Sequence, residues 1–138
     1  ANLEVSYLLE RMERFKGMAI LATNRKKDLD EAFLRRLRYV VEFPLPGPEE
    51  RIAIWQRTIP EGIARDSVDF AFLARQFPLA GGHIRSIVFQ ACLQGAARDV
   101  DRCLDMPLLL SATRRELDKL GRPVSPDLFG PWRHLIEE

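Results

Sequence analysis

Three groups of residues in this 138-residue chain have the types and spacing to do chemistry. The first is Asn24, in Ala22-Thr23-Asn24-Arg25, at the end of a short apolar run. Its uncharged amide offers donors and an acceptor together, so it could orient a water and bond a phosphate oxygen at once. An isolated Asn at such a place more often caps its own loop. The second group is Arg35, Arg36 and Arg38, three guanidiniums within four positions. The planar fork stays charged and grips phosphate oxygens bidentately, even across an interface. As a plain cationic helix end, each would contribute only ~0.3–1 kcal/mol against the dipole. The third is Gly81-Gly82-His83-Ile84-Arg85. Arg85 falls in the first turn of an expected helix, where its charge opposes the positive dipole end by ~0.3–1 kcal/mol; a bound anion would reverse that cost. A solvated arginine is the alternative, and His83 reads as a first-turn surface residue.

The elements that must position these residues follow from periodicity. Val5, Leu8, Met12 and Phe15 recur at helical spacing before Gly17, which predicts a helix over residues 3–16. Residues 18–23 (MAILAT) form a continuous apolar run after a glycine stop, the pattern of a strand buried on both faces. A polar loop follows, then a short helix capped by Asp28 or Asp30 and running to about Leu37. Tyr39, Val41 and Phe43 alternate with Val40 and Glu42, predicting a second strand. Pro44, Pro46, Gly47 and Pro48 then break the chain and mark the expected domain boundary.

Everything after that break reads as helix. Pro48 sits at a first helical position with Glu49 and Glu50 beside it, and Ile52, Trp55 and Ile59 line one face. A helix over about 69–77 carries Phe70, Leu73 and Phe77. A longer one opens at Gly81-Gly82 with an apolar stripe of Ile84, Ile87, Val88, Ala91, Cys92 and Gly95. Asp105 and Pro107 start another, with Met106, Leu110, Thr113, Leu117 and Leu120 inward until Gly121. Ser125-Pro126 and Gly130-Pro131 start short terminal turns. Two strands cannot bury a sheet on both faces without more strands and helices. With a first residue that is not methionine, this reads as a piece of a longer protein.

Composition bounds the function. Hydrophobic residues are 46% and charged residues 30%, a globular mixture. Lys plus Arg number 21 against 20 Asp plus Glu, so bulk charge does not drive binding to a polyanion. Arg25, Lys26, Lys27 and Arg35–Arg38 would be the nucleic-acid surface, but no aromatic residues interleave them. No uncharged run reaches the ~20 residues of a membrane span, and no signal-peptide pattern opens the chain. Cys92 and Cys103 form no framework and fit a reducing, cytoplasmic setting. His83 and His134 lack the partner spacing of a zinc site, and no metal ligand set is expected.

The spacing A-T-N-R-x-x-x-L-D-x-A-x-x-R-x-x-R, running from Ala22 to Arg38, precedes Phe43-Pro44-Leu45-Pro46 and Glu50-Arg51-Ile52. This pattern resembles the second region of homology of AAA ATPases. The resemblance implies a mainly α fold: the end of a P-loop-type α/β core with two short strands (1–46), then a helical-bundle lid (47–138). It implies that Asn24 is sensor 1, placing the attacking water, and that Arg35 and Arg38 are arginine fingers acting on a neighbouring subunit. Arg36 stands where many members have proline, which leaves the main finger open among the three. Gly81-Gly82-His83-Ile84-Arg85 resembles sensor 2, with Arg85 on the γ-phosphate and Ile54, Thr58, Gly81 and Gly82 around the adenine. An arginine at sensor 2 suggests a bacterial branch.

No G-x-x-x-x-G-K-[ST] and no apolar strand ending in Asp-Glu occurs in the chain. The resemblance therefore implies ATP and Mg²⁺ in the full-length protein and a hexameric homo-oligomeric ring remodelling a protein substrate. This chain alone would be inactive and would need no cofactor. The alternative is a non-catalytic helical interaction module, an adaptor. Without the strand that the family places between them, the two strands are expected to pair with another copy, to pair out of family order, or to be poorly ordered. The helical part from about Pro48 would keep its packing.

Overall fold

The computed structural model describes residues 3–98 and 103–135. It is mainly helical and divides into two compact units, Ala1–Phe43 and Pro44–Glu138.

In the first unit, α1 (Leu3–Arg14) ends two residues before the expected stop. Its buried residue is Leu9; Val5 and Met12 are half-buried, while Leu8 and Phe15 face solvent. The apolar stripe thus forms the helix without a deep core beneath it. A 3-10 turn at Lys26–Asp28 leads into the short helix α2 (Glu31–Leu34). Asp30 is its cap: the Oδ1 accepts from the Phe33 backbone N–H at 2.6 Å, satisfying one of the orphan donors of the first turn. Phe33, 1% exposed, anchors α2 in this unit.

Neither residues 18–23 nor residues 39–43 form a strand, which corrects the expectation of two short strands. A strand exists only as one rung set of a ladder. Among the described residues the single β-type pairing is an isolated parallel bridge between Ala64 and Cys103, in the other unit. Met18, Ile20, Tyr39, Val41 and Phe43 keep the apolar pattern of buried strands, yet all are exposed.

The second unit holds the main core. α3 (Pro48–Thr58) begins with Pro48 at its first position, where a missing N–H costs nothing. The Glu50 carboxylate accepts from the Gly47 N–H at 2.8 Å. α4 (Phe70–Gln76) and α6 (Met106–Lys119) are capped by Asp69 and Asp105, which accept from Phe72 and Leu108 N–H at 2.9 Å each. Between them runs α5 (Gly81–Ala97), which packs on α6 and on α3, while α3 also packs on α4.

Ile84, Ile87, Val88 and Ala91 of α5 share one buried core with Trp55 of α3, with Ile59 just after α3, and with Leu109, Leu110, Ala112 and Leu117 of α6. Gly95 of α5 faces Leu108 of α6, and a Cβ there would meet Leu108 at 3.5 Å, an ordinary van der Waals contact. A C-terminal 3-10 segment, Pro126–Leu135, closes the core by inserting Phe129, whose ring lies 5.5 Å from that of Phe77. That segment kinks at Gly130, with φ 47° and ψ −123°. No helix among the described residues is long and apolar enough to cross a membrane.

Candidate functional site

Asn24 lies in a bend after the extended apolar run and is exposed. The residues around it make local bonds: Thr23 Oγ1 accepts from the Arg25 N–H at 3.0 Å, Arg25 pairs with Asp28, and Lys26 pairs with Glu42. These contacts order the loop and leave the Asn24 amide with no hydrogen bond among the described residues.

The three arginines diverge in their surroundings. Arg35 pairs with Glu31 one turn back at 2.6 Å, and Arg36 Nε lies 3.3 Å from Glu13 of α1. Arg38 follows the helix, is exposed, and makes no ion pair among the described residues. Exposed pairs such as the first two are worth little, roughly 0–1 kcal/mol, so a phosphate could displace them. Only Arg38 needs no such exchange.

In the second unit, Gly81 and Ile54 are neighbours: a Cβ at Gly81 would touch Ile54 Cδ1 and Cγ2 at 3.8 Å. Around Gly82 nothing lies within 4 Å of where a Cβ would be. The two glycines therefore keep the start of α5 low beside a half-buried isoleucine and open to solvent. Thr58 does not offer its hydroxyl to that space; its Oγ1 donates to the Ile54 carbonyl at 2.6 Å. Ala80, the N-cap of α5, supplies no side-chain acceptor, so the first-turn N–H groups of Gly81 and Gly82 are uncapped by side chains. Arg85 rises from the same turn, exposed and without an ion pair among the described residues. Apolar surface, bare N–H groups and a free guanidinium within one turn suit an aromatic base and an anionic group. No group of three or more His, Cys, Asp or Glu among the described residues could hold a metal ion.

His83 was expected at the surface and is instead half-buried, its Nδ1 2.9 Å from Glu116 Oε1. Glu116 is 1% exposed and also accepts from Ser86 Oγ at 3.1 Å. Burial pushes this carboxyl up. The hydrogen bonds from His83 and Ser86, with the charge of Lys119 at 3.8 Å, outweigh burial and leave it below the ordinary carboxylate range. An ionised carboxylate only accepts, so Nδ1 carries the His83 proton. A charged residue one position before Leu117 on an amphipathic helix carries no sequence signal of such a role. The buried Arg51 was likewise visible only as part of a motif.

No protein-family model matches the chain. Over 91 residues, 61% of the chain, it is 36% identical to the 26S proteasome regulatory subunit 6B homolog of Dictyostelium discoideum. Over 94 residues, 63% of the chain, it is 34% identical to the probable 26S proteasome regulatory subunit 6B of Caenorhabditis elegans. Both relatives are eukaryotic, which overturns the expectation of a bacterial branch. By name each is a subunit of a larger assembly, which goes against a ring built of identical chains. The chain spans 23% of either relative's length, and it is to a segment of that size, in an assembly's regulatory subunits, that it is similar.

Proposed function

We propose that this chain is the C-terminal part of an AAA ATPase: the sensor 1 loop and arginine fingers of the core (1–46), then the helical lid with sensor 2 (47–138). The carrying observation is the spacing from Ala22 to Arg38, which runs through a capped short helix and reaches, four residues past its end, an Arg38 that is exposed and without an ion pair among the described residues. Similarity to proteasome regulatory subunits supports the same reading. In the intact protein, ATP with Mg²⁺ would be hydrolysed by water, and the energy used to remodel a protein substrate in a ring-shaped assembly. Asn24 orients the attacking water, Arg85 meets the γ-phosphate of its own subunit, and the surface of Ile54, Gly81 and Gly82 receives the adenine. Thr58 borders that surface through its methyl group, since its hydroxyl is committed to the helix.

Among the three arginines, Arg38 is the principal finger. Arg35 and Arg36 spend their charge on Glu31 and Glu13, and Arg38 presents its own to a neighbouring subunit. A trans-acting arginine is worth ~10³–10⁵ in rate in GTPases, because it stabilises charge that develops only in the transition state. In the intact protein, Arg38→Ala should therefore abolish most turnover while nucleotide affinity stays within about threefold, and Arg35→Ala should cost less. Mixing Arg38→Ala subunits with subunits lacking the P-loop lysine should restore activity at shared interfaces. Unchanged turnover in Arg38→Ala, or no rescue on mixing, would sink the assignment.

A further inference from the structure

The first turn of α5 is anchored in the core by Ile84, but its polar end has little of its own to hold it. Its N-cap is Ala80, which has no side-chain acceptor, and its first two residues are glycines, which lose the most backbone entropy on ordering. The polar contacts that hold that end come from the neighbouring helix. Glu116 of α6 sits at 1% exposure, where a carboxylate persists only if its oxygens are well satisfied. Among the described residues its hydrogen-bond donors belong to α5: His83 Nδ1 at 2.9 Å, Ser86 Oγ at 3.1 Å and Gln90 Nε2 at 3.5 Å. The Gln90 amide also donates to Ser86 Oγ at 3.2 Å, so the three form one network. On its own helix the carboxylate faces the Lys119 ammonium at 3.8 Å. Positions 83, 86 and 90 share one face, and the first two bracket Arg85 in sequence. Arg85 itself points its charge to solvent without an ion pair among the described residues.

We propose that Glu116 is a positioning residue for nucleotide discrimination: by clamping His83 and Ser86 on either side of Arg85, it fixes the direction in which that guanidinium leaves α5. The inference rests on the reading of Arg85 as the γ-phosphate contact. Glu116 does not touch the nucleotide. It acts by removing alternative placements of the turn, so that the arginine meets a terminal phosphate without first being ordered. A role confined to holding α5 against α6 would lower stability and leave discrimination between ATP and ADP alone.

The test compares ATP and ADP affinities in the intact protein carrying this chain, for wild type, Arg85→Ala, Glu116→Gln and the double variant. Glu116→Gln keeps the volume and removes the charge that strengthens three hydrogen bonds, each worth about ten- to a hundredfold when made to a charged group. Arg85→Ala should reduce the preference for ATP over ADP by about tenfold or more. Glu116→Gln should reduce it in the same direction by about three- to tenfold, with ADP affinity unchanged within about twofold, and should add nothing when Arg85 is already gone. In the isolated chain, the His83 and Ile84 amides, which bond the Ala80 carbonyl, should exchange with solvent about tenfold faster in Glu116→Gln, while those of α3 do not change. If Glu116→Gln unfolds the protein, Ser86→Ala and His83→Phe cut the same clamp at half-buried positions and should show the same loss of preference. An ATP preference lost in Arg85→Ala but kept in Glu116→Gln or in those two variants, or additive effects in the double variant, overturns the proposal and leaves the reading of Arg85 standing. No change in Arg85→Ala overturns both.

Discussion

Arg51 brings its guanidinium into the helical unit at 8% exposure and meets carbonyls there, not a carboxylate. Its Nε donates to the Ala74 carbonyl and its Nη1 to the Pro46 carbonyl, each at 2.7 Å. One side chain thus ties the segment before α3 to the last turns of α4. Arg51→Ala leaves both acceptors without this donor and should cost about 2–4 kcal/mol of stability, read as a lowered urea midpoint. Arg51→Lys should recover less than half, since a single ammonium cannot span both carbonyls in the fork's geometry. A midpoint within error of wild type in Arg51→Ala would refute this account. Glu116 makes the complementary case in acid. Its folded-state pKa lies below the unfolded value, because the His83 and Ser86 hydrogen bonds and the Lys119 charge outweigh burial. The stability it contributes is therefore full above the unfolded pKa and is lost as pH falls through the folded one. Between wild type and Glu116→Gln, the gap in midpoint should narrow steadily on acidification below the ordinary carboxylate range. A gap that widens in acid would contradict the assigned ionisation.

At the scale of elements, helix starts were legible because their chemistry is local. Asp30, Asp69 and Asp105 accept from the N–H three residues on, and Pro48 needs no partner. The faces of α3, α5 and α6 were legible from spacing alone, and Trp55, Ile84, Ile87, Val88, Ala91 and Leu110 are all buried. The strands failed for the opposite reason: residues 18–23 and 39–43 carry strand composition, but a ladder needs partners that composition does not supply. The places of the candidate residues were legible, if not their roles: Asn24 lies in the expected loop and the glycine pair at the expected helix start, while α2 ends at Leu34, so Arg35 and Arg36, expected in the last turn of a helix reaching about Leu37, come just after it. Hidden were the contacts that set them apart: Glu31 and Glu13 occupying Arg35 and Arg36, and Glu116 buried beneath His83. The terminal segment turns on Gly130, whose positive φ is paired with a ψ that only glycine tolerates. A Cβ there would also press on Phe72 at 3.1 Å. Gly130→Ala should cost about 1–3 kcal/mol in thermal or urea unfolding and release Phe129 from the core, detectable as faster exchange in the terminal segment. Wild-type stability in that variant would mean that the kink is dispensable.

The whole molecule joins two units of unequal self-sufficiency. The helical one encloses Trp55, Leu73, Phe77, Leu109 and Phe129 in a continuous core, which is what independent folding requires. The leading one buries Leu9 and Phe33 and leaves Met18, Ile20, Tyr39, Val41 and Phe43 exposed. Extended apolar segments with unpaired backbone groups are templates for pairing between chains. The full chain should therefore self-associate in light scattering as concentration rises. A chain trimmed to residues 44–135 should stay monomeric and unfold cooperatively. Monomeric behaviour of the full chain at about 100 µM would show that those edges are protected.

The same unpaired segments bear on how long the chain survives as made. A protease grips its substrate as an extended strand, through the backbone groups that a sheet would otherwise occupy. Residues 18–23 and 39–43 belong to no helix or ladder, so they can take that shape without local unfolding, whereas any bond within α3 to α6 must first open against the core. Pro44, Pro46 and Pro48 then interrupt further trimming, because the ring removes the N–H that strand-like docking uses. Digestion thus has a built-in end point at the start of the helical unit, and the unit that carries Arg85 outlasts the smaller one that carries Asn24 and Arg38.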